Sequence, residues 1–314
     1  MLVPQISLHR RAMLTAAGAL GVLGACSDTI GPAPELQRTL TVPGTPTAAI
    51  GPTSDMIVFE RLVNAGLASI HIVNPDGTGL TKVGDGEMPS WSPDHSKIVF
   101  VASRLIRIMN ADGTGAKNLT TTGSSRMPSF SADGQKIVFI RENARGRTDV
   151  YTVNVDGTNE QVLVRTASTD EVTPRLSPDG TKLAYSSIKR GEADIVVLDL
   201  ATGRRSVIVA DPNPQIAPAW SPDGKRLAFV TGSGSAAQCI GIIDADGTNR
   251  KAFPSGVDDC RSPSWSPDGT ELAFVSGKAG QTSVFRGKVD EAEAPTNVSL
   301  AGLGAVDATP VWSR

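Results

Sequence analysis

A short phrase, Pro-x-aromatic-Ser-Pro-Asp-Gly, returns along the chain, and its period limits what this sequence can fold into more than any other feature. Copies are centred on Trp91, Phe130, Leu176, Trp220 and Trp265, with a truncated copy at Trp312-Ser313, spaced 39 to 47 residues apart. Self-similarity at that period predicts four-stranded propeller blades. A second aromatic-rich position follows nine residues later, at Phe100, Phe139, Tyr185, Phe229 and Phe274. Eleven of the fourteen aromatic residues fall at these two positions or at Phe59, so the architecture placed them. They read as core.

Residues 217–254 show one unit. Ala217 to Ser221 reads as an inner strand, Pro222-Asp223-Gly224 as a tight turn, and Arg226 to Val230 as a buried second strand. Cys239 to Asp244 is a third strand, Asp246-Gly247-Thr248 a hairpin turn, and Lys251 to Pro254 a short outer strand. Counting nine residues back from Phe59 reaches Ile50, which lacks the phrase. The first unit therefore lacks its own inner strand, and Thr309 to Ser313 is shaped to supply it. The expectation is an all-β fold, a six-bladed β-propeller of four-stranded antiparallel blades closed by the C-terminal strand.

These repeats resemble the WD-like repeats of the TolB propeller family over about residues 50 to 313. The resemblance implies the fold and an envelope role. TolB carries an extra α/β domain before its propeller, whereas residues 27–49 here are a Pro/Thr-rich stretch that reads as a flexible tether.

Residues 1–26 read as an export signal. His9-Arg10-Arg11 precedes an apolar run to Ala25, too short to span a bilayer. Leu23-Gly24-Ala25-Cys26 resembles a lipoprotein box, with cleavage before Cys26 and lipid on its sulfur; an ordinary secretory signal is the alternative. Arg10-Arg11 suits either the Sec or the twin-arginine route. The expected location is the bacterial envelope, lipid-anchored, on the periplasmic face of the outer membrane. Cys239 and Cys260 then remain as an even pair, at strand ends that share one face, and a disulfide is expected between them.

A net charge of −2 argues against a nucleic-acid partner. Asn-x-Asp-Gly-Thr and Ser-Pro-Asp-Gly resemble calcium loops only in part; the remaining ligands are missing, so both read as turns. His71 and His95 have no clustered partners, and no Gly-x-Ser-x-Gly elbow occurs, so neither a metal, a cofactor nor catalysis is expected. What remains is surface. Glu87, Arg126, Glu171, Gln215, Arg261 and Asp307 are expected to ring one mouth of the channel, and to hold a peptide or an extended segment of an envelope protein. On the same face Arg141, Arg145, Arg147, Lys189 and Arg190 are expected to form a basic patch. The expected function is a monomeric protein-binding or scaffolding lipoprotein. Two alternatives stay open: a Tol-system component that binds a peptidoglycan-associated lipoprotein, and a glycan or small-ligand binder or carbohydrate-active enzyme.

Overall fold

A computed structural model describes residues 55–63, 67–211, 213–231, 239–254, 257, 259–278, 281–291, 293–299 and 305–312. The signal, Cys26, the tether and residues 50–54 lie outside these. Among the described residues every regular element is a strand.

Four sheets stand alone, each an antiparallel blade of four strands in chain order. They are β4 (Glu87–Trp91), β5 (Lys97–Ala102), β6 (Leu105–Asn110) and β7 (Lys117–Asn118); then β8 (Ser125–Phe130), β9 (Lys136–Glu142), β10 (Thr148–Asn154) and β11 (Gln161–Val164). The third is β12 (Asp170–Leu176), β13 (Lys182–Lys189), β14 (Glu192–Asp199) and β15 (Arg205–Val209), and the fourth β16 (Gln215–Trp220), β17 (Arg226–Thr231), β18 (Ile240–Asp244) and β19 (Lys251–Ala252). The other eight strands form one sheet. It contains β20 (Arg261–Trp265), β21 (Glu271–Lys278), β22 (Gln281–Lys288) and β23 (Thr296–Asn297) on one side. On the other lie β24 (Ala305–Trp312), β1 (Ile57–Val63), β2 (Ser69–Val73) and β3 (Thr81–Asp85).

Six separate sheets were expected, and the hydrogen bonding corrects this to four plus one. The cause is β24, which pairs antiparallel with β1 from Ile57–Trp312 to Val63–Ala305 and also touches β22 through one parallel bridge, Thr282–Val306. The Thr282 hydroxyl donates to the Asp307 carbonyl at 2.6 Å, fastening that bridge. The C-terminal strand thus lies beside the N-terminal one.

The turns follow from their residues. In the fourth blade Ser221 Oγ donates to Asp223 Oδ1 at 2.6 Å, while Asp223 accepts the Lys225 N–H at 3.1 Å and Ser221 Oγ accepts the Arg226 N–H at 2.9 Å. One serine and one aspartate therefore satisfy two backbone N–H groups of the hairpin, beside its own backbone bonds from Ser221 to Arg226 and from Gly224 to Ser221. The same contacts hold the Asp223 carboxyl below its ordinary range, the serine hydroxyl contributing most. Glycine closes the turn with φ of 68° at Gly224, and His95 takes the same left-handed conformation at 57° where the second copy lacks glycine. Asp246 plays the matching part in the other hairpin, accepting the Thr248 N–H at 2.9 Å.

The core lies between sheets. Ile57, Phe59, Val73, Ala273, Val284 and Trp312 pack where the two sides of the eight-stranded sheet meet. Five further clusters fill the other junctions. Indoles tie neighbours together: Trp220 Nε1 donates to the Arg175 carbonyl and Trp265 Nε1 to the Ala219 carbonyl, each at 3.0 Å. The inner strands β4, β8, β12, β16, β20 and β24 each contact the next in a closed ring. Cys239 and Cys260 are disulfide-bonded, with Cα atoms 5.3 Å apart, where β18 and β20 begin. A loop of that length contributes about 3 kcal/mol in the chain-entropy account.

Candidate functional site: the channel mouth

Each inner strand carries the same irregularity. Three residues before the repeat aromatic, or before Leu176, the backbone turns left-handed: Met88, Met127, Thr173, Ala217, Ser262 and Thr309 have φ between 49° and 57°. The ladder slips at each of these points, a β-bulge repeated around the ring. None of the six is glycine, so every one holds a conformation that costs energy, and such positions concentrate where a surface is shaped for use. All six residues are partly exposed on the inner strands, with Met88 and Met127 also packed against the clusters between blades. They were not singled out in the sequence.

The bulge also sorts the expected mouth residues, which occupy two register positions rather than one. Glu87, Arg126 and Arg261 stand four residues before the repeat position and keep exposed or partly exposed side chains. Glu171, Gln215 and Asp307 stand five before it and are buried. Successive strand residues point to opposite sides, so one step of register moves a side chain out of the channel and into the junction between blades. The expected ring of six is therefore corrected: Glu171, Gln215 and Asp307 are buried, and only Glu87, Arg126 and Arg261 keep charge at the surface. Arg261 is paired there with Asp259 at 2.7 Å.

The buried three are structural. Asp307 takes both ends of the Arg61 guanidinium, at 2.6 and 2.8 Å, and Arg61 also reaches the Ser299 carbonyl at 2.8 Å. Glu171 accepts the Thr166 hydroxyl at 2.8 Å and that of Thr169. Its carboxyl titrates above the ordinary range, mainly through burial, with Asp149 adding to the rise. By register Asp149 and Glu171 stand where Cys239 and Cys260 stand two junctions on. The fold thus brings two side chains together at this place, and here both are carboxyls. Gln215 Nε2 donates to the Asn213 carbonyl at 2.9 Å.

The basic patch needs the same correction. Arg141 is buried, paired with Glu160, and stacked on Phe139 and Tyr151 at 5.3 and 4.9 Å from the ring centres. It is a bracing residue, held by aromatic faces and a carboxylate. Arg147 faces Asp170 at 3.8 Å. Arg145 and Arg190 on hairpin turns and Lys189 at the end of β13 are exposed, the part of the patch that stays on the surface.

One acid in the ring has an unusual state. Glu60 is 4% exposed and accepts the Met88 N–H at 3.0 Å, at the bulge of the neighbouring strand. Burial pushes its carboxyl up to about 7, against the pull of that N–H, and Glu87 adds to the rise. Ser186 holds the matching place in the third blade and accepts the Ala217 N–H at 3.2 Å. The other equivalents, Val101, Ile140, Val230 and Val275, are apolar, and that contrast is the sequence signal by which Glu60 stands out. His71, by contrast, is packed on Phe59 with ring centres 5.7 Å apart, and burial holds its imidazole below the ordinary range. Among the described residues no group of three or more metal-ligating side chains is found.

Comparison with known proteins agrees with the propeller fold. A TolB homologue from Chlorobaculum tepidum is 32% identical over 114 residues, 36% of this chain and 26% of that protein. The Tol-Pal system protein TolB of Francisella tularensis subsp. mediasiatica is 34% identical over 79 residues, 25% of this chain and 18% of its own length. The matches thus span about a quarter or less of these relatives. The crystal structure of TolB from Acinetobacter baumannii superposes with a TM-score of 0.71 at 21% identity, covering 82% of this chain and 66% of that one, a likeness of fold. The TolB β-propeller domain family matches residues 141–314, more than half of the sequence, and the chain belongs to that family.

Proposed function

We propose that this protein is a cell-envelope propeller that binds an extended segment of a partner protein at the mouth of its channel. The observation that carries the reading is the set of charged side chains that stay exposed or partly exposed on the inner strands. Glu87, Arg126 and Arg261 stand one residue before the left-handed bulges at Met88, Met127 and Ser262, with Ser262 itself partly exposed. Charges of both signs on neighbouring inner strands suit an extended peptide, whose side chains and backbone can be matched in register, better than a ligand of single charge. Membership of the TolB propeller family supports the same reading, and the name of the Francisella relative favours a place in a Tol-Pal type system.

Within this reading the eight-stranded sheet counts as two blades run together, so the propeller has six. Residues 1–26 act as the export signal, Cys26 carries the lipid, and residues 27–49 tether a monomeric propeller in the periplasm. Two lipid-borne signals or a multiply acylated residue would hold it stably at the membrane.

Charge reversal tests the mouth directly. A variant with Arg126→Glu and Arg261→Glu is expected to lower crosslinking capture of its partner from native envelopes at least tenfold, with its melting temperature unchanged. Equal capture by the folded double variant would place the partner site elsewhere.

A further inference from the structure

One junction between blades is incomplete, and its sister junctions show what is missing. At five of the six repeat positions the aromatic is at most 8% exposed, whereas Leu176 stays partly exposed. The preceding blade carries Ser131-Ala132-Asp133 where its neighbours carry Ser-Pro-Asp. That proline matters elsewhere. A side chain built on Gly134, Gly224 or Gly269 would meet the proline of the preceding blade at 3.4 to 3.7 Å, but one on Gly180 would meet nothing within 4 Å. Two independent losses, an aromatic and a proline, therefore coincide between the blades β8–β11 and β12–β15. A groove of about 450 Å³ opens there, lined by Val162, Leu163, Leu176, Leu200, Pro178 and Lys136 among others. Its size falls within the range of about 300–1,000 Å³ usual for ligand sites.

Two of the sister junctions, those of Trp220 and Trp265, supply the pattern for the occupant. Trp265 lies under the Arg226 guanidinium, 4.8 Å from the ring centre, and its Nε1 donates to the Ala219 carbonyl at 3.0 Å. Trp220 donates likewise to Arg175. In the incomplete junction the corresponding positions are Lys136 for the cation and Ser129 for the carbonyl, by the register of β8 with β9. Leucine fills neither the volume nor the donor role. The groove lies on the face of the Ser-Pro-Asp-Gly turns, opposite the channel mouth, so this site is independent of the one proposed above.

We propose that this groove binds an aromatic side chain of a partner peptide, with tryptophan preferred, its ring against Leu163 and Leu176, its N–H toward the Ser129 carbonyl and Lys136 above its face. Indole gains the apolar contact, the hydrogen bond and the cation together. Phenylalanine gains two of the three, and leucine one.

The test uses the full chain and N-acetyl-tryptophanamide, followed by ligand-observed magnetic resonance and calorimetry. Saturable binding with a millimolar or tighter dissociation constant is expected, with N-acetyl-leucinamide at least tenfold weaker. Leu176→Trp, which fills the slot from within, is expected to abolish binding and raise the melting temperature. Lys136→Glu changes an exposed residue that the fold does not need, and is expected to weaken binding at least fivefold with unchanged melting. Absence of saturable binding to the wild type, or equal binding by wild type and Lys136→Glu, would overturn the proposal.

Discussion

A chain ended at residue 304 is expected to lose its cooperative melting transition and to aggregate on warming. The deletion removes β24, which pairs with β1 along almost its whole length. Trp312, 3% exposed, would leave the cluster it shares with Ile57, Phe59, Ala273 and Val284. Loss of one such side chain costs about 3–5 kcal/mol. The Trp312 N–H would also leave Ser264 Oγ, at 2.9 Å, and Arg61 would lose the Asp307 carboxylate. With the whole β1–β24 ladder lost as well, the sum reaches the lower end of the stability of an ordinary domain, about 5–15 kcal/mol, and the open ring exposes the edges of β1 and β22 to other chains. Circular dichroism on heating, with light scattering, reads both effects. A truncated chain that melts cooperatively at the wild-type temperature would contradict ring closure by β24.

The second large effect concerns Glu60. Its carboxyl is pushed up to about 7 from an unfolded value of 4.5, so folding favours the protonated form. The stabilising contribution is fully present below pH 4.5 and is lost as the pH rises through about 7. The amount is up to about 3 kcal/mol, taking about 1.4 kcal/mol per unit. Glu60→Gln keeps an acceptor for the Met88 N–H and carries no charge. It is expected to match the wild type near pH 4.5 and to exceed it by up to about 3 kcal/mol at pH 8. Urea unfolding of both proteins at the two pH values measures the difference. A constant offset between them would show that burial of Glu60 does not govern this titration. The turn aspartates act in the opposite sense. Asp179, held down to about 2 chiefly by the Ser177 hydroxyl, loses its contribution as the pH falls below 3.8.

The repeat period made the blades legible, because a fixed distance between two core aromatics reflects a fixed distance between two strands. The disulfide was legible for the same reason: Cys239 and Cys260 each precede a strand by one residue. The channel mouth was not. Its bulges fall on Met, Met, Thr, Ala, Ser and Thr, and no glycine marks their left-handed backbone. Nothing in the sequence separates the fourth from the fifth residue before the repeat position, so Glu171, Gln215 and Asp307 were counted with the mouth although they are buried. Arg141 was misread because its partner Glu160 lies beyond the next strand, and its cradle of Phe139 and Tyr151 forms only when β9 pairs with β10. The groove beside Leu176 was visible as a substitution in the phrase, but its meaning depends on Ala132 in the preceding blade. Only the packed ring sets those two residues together.

Photocrosslinking from the bulges tests the central claim most directly. A photoreactive side chain at Thr173 or at Ser262, both partly exposed within the ring of inner strands, is compared in intact envelopes with one at exposed Lys225 on the opposite face. The account expects one shared protein adduct from the two channel positions, lost when Arg126 and Arg261 are reversed, and no such adduct from Lys225. Adducts from Lys225 with none from Thr173 or Ser262 would contradict binding at the channel mouth.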